Sequence, residues 1–134
     1  MIKYREGYKY QLVEDCTVKT SITPKQDVAK DEWIQLKMDG TLTIKDGYAW
    51  DGLGGPTIDT KNFMRGSLIH DALYQLMREG LVDEGFFDAA NEELRIACLQ
   101  DGMCKFRAWY IYKGVSLFGK QFAKKQKALV ITAP

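Results

Sequence analysis

The sequence predicts an α+β domain: a small antiparallel N-terminal β-sheet followed by three α-helices, two of them packed antiparallel. Three observations lead there. In the first half, Ile34, Leu36 and Met38 alternate with Gln35 and Lys37, the period of a half-buried strand. Asp39-Gly40 then separates two such runs, and that dipeptide is the strongest short hairpin signal. After residue 60 the apolar residues recur at helical spacing, between capping residues and glycines.

The elements follow in order. "YKYQLVEDCTVKTSI", rich in Tyr, Val, Thr and Ile, suits strands. "EWIQLKMDGTLTIKDGYAW" suits a hairpin, with a further turn or bulge at Asp46-Gly47. The first helix is expected to begin near Asp59 or Thr60, both good N-caps, and to stop at Gly80. The second is expected from Asp83, with Glu84 in its first turn, to Asp101-Gly102. The third runs from Lys105 to Lys124. Gly114 and Gly119 lie inside it, each costing about 1 kcal/mol against alanine, so close helix packing is expected as compensation. The whole chain, 1–134, reads as one domain: 1–58 mainly β with a glycine-rich turn, 59–124 helical, and 125–134 a tail, with "ALVITAP" a short strand or an extended end.

Composition narrows the class. At 46% hydrophobic residues the chain can build a core and is not expected to be disordered. No apolar run approaches the roughly 18–20 residues of a membrane-spanning helix. Met1-Ile2-Lys3-Tyr4-Arg5 lacks the apolar stretch of a secretory signal, so synthesis and folding in the cytoplasm are expected. Cys16, Cys98 and Cys104 are odd in number and scattered, which reads as reduced thiols rather than a disulfide framework or a metal site. The net charge of +1 conceals an asymmetry. Residues 103–134 hold Lys105, Arg107, Lys113, Lys120, Lys124, Lys125 and Lys127 and no acid, leaving 12 basic and 18 acidic residues before them. A basic end on a body of net charge −6 attracts an anionic surface or an acidic partner through helix 105–124, or is neutralised internally by packing on that body. Nucleic acid is not the expected partner.

The densest chemistry lies in "YAWDGLGGPTIDTKNFMRGSLIHDALYQL", residues 48–76, which contains the single histidine. Phe63, Ser67, His70, Tyr74 and Met77 share one seam of their helix, and Ile69, Leu73 and Leu76 form a second apolar line, so His70 is expected at an interior interface. Asp71 is turned about 100° from it. On the next helix Phe87, Leu94 and Cys98 make the core seam; Asn91 points into that seam and Asp88 flanks it. One of these two is expected to meet His70 when the helices pack antiparallel. An imidazole held by a side-chain oxygen keeps one tautomer and leaves its other nitrogen able to take a proton. Gly52, Gly54 and Gly55 let backbone carbonyls turn inward, and carbonyls with a carboxylate suit a hard cation such as Ca²⁺. The same glycines also serve a tight strand-to-helix connection stiffened by Pro56.

Two resemblances rest on these residues. The stretch from Thr41 to Phe122 resembles an uncharacterised family of short bacteriophage- and prophage-encoded proteins. The motifs are Asp51-Gly52-Leu53-Gly54-Gly55-Pro56, His70-Asp71-Ala72-Leu73-Tyr74 and Ala90-Asn91-Glu92-Glu93-Leu94, with Gly102 ending the second helix. The chain departs from that family at Asn91, where an aspartate is usual, and at Leu53 and Gly54, where Ala and Ser are usual. More locally, "YAWDGLGGPTID…HDALY" resembles the calcium loop and active-site helix of secreted phospholipases A2, although their disulfides are absent and the spacing from Pro56 to His70 is longer. That resemblance implies Ca²⁺ held by the carbonyls of Trp50, Gly52 and Gly54 and the Asp71 carboxylate. It also implies His70 as the base that activates water, Tyr74 as a support, and Asn91 or Asp88 as the orienting group.

The implied chemistry is calcium-dependent ester hydrolysis. An asparagine at the orienting position fixes the tautomer but supplies no charge to an imidazolium. The loss on such a replacement can be large, as the serine-protease triad illustrates. The phage resemblance implies synthesis in the host cytoplasm and incorporation in the virion. It therefore also admits a non-enzymatic structural component of the particle, a tail or head accessory protein with other phage structural proteins as partners, or an inhibitor of a host protein.

Overall fold

Strand alternation and turn chemistry organise the first half as expected. The computed structural model describes residues 2–6, 10–52 and 60–118. It contains β1 (Tyr4–Arg5), β2 (Tyr10–Leu12), β3 (Cys16–Lys19), β4 (Val28–Lys30), β5 (Ile34–Leu36), β6 (Thr41–Ile44) and β7 (Ala49–Trp50). These precede α1 (Lys61–Arg78), α2 (Phe87–Gln100) and α3 (Lys105–Phe118). The fold is α+β. Asp39-Gly40 closes the β5–β6 hairpin, pairing Leu36 with Leu42 and Ile34 with Ile44. Gly40 sits at φ +91°, which a side chain would resist, and Asp39 Oδ1 accepts from the Thr41 N–H at 3.0 Å. Met38 departs from the expected alternation. The strand ends at Leu36, so Met38 is in the turn, exposed, with its N–H donating to Asp27 Oδ1 at 2.8 Å.

Among the described residues all pairings are antiparallel and fall in two sheets, ordered β1-β2-β7 and β3-β6-β5-β4. Because β2 pairs with β7 and β3 with β6, the two sheets are halves of one bent ribbon. Asp46-Gly47 lies at that bend, with Gly47 at φ +96°. Asp15 pins the corner: its carboxylate accepts from the Asp46 N–H at 2.9 Å and from Lys45 Nζ at 3.2 Å.

Leu12, Ile34, Leu36, Leu42, Ile44 and Trp50 cover one side of α1, packing with Leu68, Leu73 and Leu76. A second cluster lies between the helices, built from Phe63, Leu94, Cys98, Met103, Ala108, Ile111 and Val115. Thus α1 is buried on two sides, as its two apolar lines imply. It pairs antiparallel with α2: Arg65 near its start contacts Asp101 at the far end of α2, while Tyr74 packs on Phe87 at the near end. The chain leaves α1 through Gly80, at φ +74°, whose N–H donates to Met77 O.

One cap, one boundary and one packing expectation change. Thr60 precedes α1, but its hydroxyl does not cap the helix; it donates to Asn62 Oδ1 and accepts from Arg107 Nη1 at 2.8 Å. Asp59 lies outside the described residues. Before α2, residues 84–86 form a 3₁₀ turn, with Asp83 Oδ1 accepting from the Gly85 N–H at 2.6 Å, and α2 begins at Phe87. The described part of α3 ends at Phe118; Gly119, Lys120, Lys124 and the tail 125–134 lie outside the described residues. Gly114 meets no close neighbour: a β-carbon there would find nothing within 4 Å. The tight approach is instead at Gly66, where a β-carbon would sit 2.9 Å from both Cys98 Sγ and Leu94 Cδ1.

Candidate active site

Burial of both helices brings the one histidine against α2. His70 is 6% exposed and Asn91 is 0% exposed. His70 Nε2 lies 2.8 Å from Asn91 Oδ1, and the Tyr74 hydroxyl donates to the same oxygen at 2.7 Å. The His70 and Tyr74 rings, one helical turn apart, stack with centroids 3.9 Å apart. A carbonyl oxygen only accepts, so it requires His70 to carry its proton on Nε2 and leaves the Nδ1 lone pair as the basic site.

The electrostatics follow from burial. Desolvation pulls the His70 pKa from its ordinary 6.5 down to about 4, against the opposing effect of the Asn91 hydrogen bond. The imidazole is therefore neutral at pH 7. Burial also raises the Tyr74 pKa, despite its bond to Asn91. One atom stands out: Asn91 Nδ2 is buried without a hydrogen-bond partner. Leaving a buried donor unpaired costs on the order of 1–3 kcal/mol. A carboxylate in this position would have no such donor, and it would accept both existing bonds equally well.

The other candidates separate. Asp88 stays on the exposed side of α2, and the histidine's bond goes to Asn91. Asp71 is half-buried on α1. Its charge, like that of Asp51, reaches the Tyr48 hydroxyl and adds to the burial that raises the Tyr48 pKa. Gly52, at φ +73°, follows Asp51. Gly54 lies outside the described residues. Among those described, no group of three or more His, Cys, Asp or Glu side chains is clustered. The three cysteines are free, with Cys16 and Cys98 buried and Cys104 exposed.

Several side chains that hold the site in place were not foreseen. The Trp50 indole N–H donates to Ser67 Oγ at 2.9 Å, tying β7 to α1 one turn before His70. Tyr48 OH donates to Gln75 Oε1 at 2.8 Å. The buried Glu93 carboxylate accepts from the Ser21 N–H at 2.8 Å, tying α2 to the sheet. Ser67 was legible as a seam residue, but its partner depends on chain crossings that no local pattern encodes. Compared with family models, curated proteins and solved structures, the chain has no match.

Proposed function

We propose that this is a phage-encoded ester hydrolase that uses His70 as its general base and Ca²⁺ as an electrophile. It would be made in the host cytoplasm and carried in the virion. The observation that carries the reading is the convergence of the His70 and Tyr74 donors on Asn91 Oδ1. That arrangement selects the tautomer whose Nδ1 can take a proton from water. Tyr74 holds the amide oxygen in place for the His70 ring. Asp71, with the carbonyls of Trp50 and Gly52, would hold Ca²⁺. Such an ion would stabilise negative charge developing on a substrate oxygen.

A pKa of about 4 makes His70 a weak base at neutral pH. The wild-type rate should accordingly be low, and Asn91→Asp should raise it, because a carboxylate stabilises the imidazolium and removes the unpaired amide donor. The test is hydrolysis of a phospholipid ester in Ca²⁺ and in chelator, by wild type, Asn91→Asp and His70→Gln. Expected are calcium-dependent turnover, an increase in Asn91→Asp and its loss in His70→Gln. Turnover that ignores chelator, or equal rates in all three folded proteins, would reject the reading. The unpaired amide and the low basicity favour a second reading, in which the trio is a structural pin in a non-enzymatic particle component. Recovery of the protein in purified virions, with no turnover by any variant, supports that one.

A further inference from the structure

Helix α3 is apolar on two sides, and among the described residues only one of them packs against the core. Ala108, Ile111 and Val115 are buried against α1 and α2. On the outer side Phe106 is 74% exposed, Trp109 51%, Tyr110 66% and Leu117 73%. With Lys113, these four side chains fall within about 100° of arc on the helix surface. A surface helix ordinarily keeps its outer face polar, and a contiguous exposed apolar patch marks an interaction site. The described part of this face is mainly aromatic, and Arg107 turns inward to Thr60. Lys105 and Lys113 remain exposed, with Lys113 Nζ 6.0 Å from the Trp109 ring centroid.

We infer that this face of α3 lies flat on an anionic phospholipid surface. Aromatic and aliphatic side chains, with Lys113 among them and Lys105 at one edge, match the headgroup–acyl boundary, where rings bury and ammonium groups reach the phosphates. Charge and shape decide against the alternatives. Lys105 and Lys113 are exposed and α3 holds no acid between Lys105 and Phe118, so a second copy of this face would oppose like charge with like. A single-stranded nucleic acid would also complement the cations, but Leu117, near the centre of the arc, offers no ring for a base to stack on. Among the described residues no helix is long and apolar enough to cross a membrane, so α3 rests on the surface. The inference is independent of catalysis by His70, and His70→Gln should bind lipid as wild type does.

The test is co-sedimentation of the full chain with phosphatidylcholine vesicles, with and without roughly one-third phosphatidylglycerol. Wild type should bind the anionic vesicles preferentially, less so as salt rises. Phe106→Ser/Leu117→Ser should weaken binding more than about tenfold. Lys113→Gln should weaken it about fivefold. All these side chains are exposed, so unchanged melting curves show that the fold is kept. Vesicle-induced blue shift of tryptophan emission should vanish in Trp109→Phe, which keeps a ring but removes that indole. Four results would overturn the inference: no binding by wild type, equal binding to neutral vesicles, undiminished binding by the double variant, or a solution dimer or oligonucleotide complex that the double variant abolishes.

Discussion

At His70 the competing effects have a clear order. Burial removes water from an imidazole that has only an amide oxygen to compensate, and desolvation wins, leaving a pKa of about 4 against the ordinary 6.5. Between those values the unfolded chain binds a proton and the folded chain does not. Stability from this residue is therefore full above pH 6.5 and is lost as pH falls towards 4. Denaturant titrations should show about 2 kcal/mol lost from this group between pH 7 and pH 5. His70→Gln should flatten that part of the profile. Asp15, Asp39 and Glu92, whose pKa values are lowered mainly by hydrogen bonds, give up their contributions at more acid pH, so the windows separate. In Asn91→Asp the His70 pKa should move up past 6.5, read directly from imidazole NMR shifts. An unmoved pKa would mean that the introduced carboxyl is itself protonated. Removing one of the two donors to Asn91 by Tyr74→Phe should cost about 1 kcal/mol.

Helix packing turns on two glycines that sequence alone treats alike. Intrinsic propensity favours alanine by about 1 kcal/mol at any exposed helical position. At Gly114, where an added methyl meets nothing within 4 Å, that gain should appear in full as a higher melting temperature. At Gly66 the added carbon would also lie 3.1 Å from the Leu94 carbonyl oxygen, a backbone atom that cannot swing aside. Overpacking then costs about 1–3 kcal/mol and outweighs propensity. Gly66→Ala should lower the melting temperature and, by pushing α1 from α2, loosen the His70–Asn91 contact. Melting curves of the two variants, run together, check the opposite signs.

Across the whole molecule, two clusters meet at α1: the ribbon covers one side and α2 with α3 the other. Anything that holds the region around Asp51, Gly52 and Asp71 should stabilise the domain as a unit. If Ca²⁺ binds the folded state alone, a concentration near 100 times its dissociation constant adds about 2.7 kcal/mol. For a chain of this size that is a rise of several degrees in melting temperature. Asp71→Asn should abolish the calcium-dependent part of the rise, since a neutral amide is a poor ligand for a hard cation. A similar loss of stability with and without chelator would instead mark Asp71 as a structural acceptor. A wild-type melting point indifferent to millimolar Ca²⁺ would exclude a well-occupied site.

Local rules sufficed wherever physics acts over a few residues. Alternation placed Ile34 and Leu36 inside, Asp39-Gly40 made its hairpin, and the seam through Phe63, Ser67, His70 and Tyr74 put the histidine at a helix interface facing Asn91 or Asp88. These readings hold because side-chain direction repeats with the backbone period, and both periods are written in the sequence. The bend at Asp46-Gly47 was less legible, since a glycine turn looks the same whether a strand reverses or continues into a second sheet. Which of Asn91 and Asp88 took the histidine depended on the rotation of α2 about its axis, set by packing around Gly66. The unpaired Asn91 amide and the low His70 pKa arise from the sum of everything that excludes water there, and no window of sequence contains that sum. The aromatic outer face of α3 had the same origin. Phe106, Trp109, Tyr110, Ile111 and Val115 are all apolar, and only the way α3 docked on α2 decided which of them reached solvent.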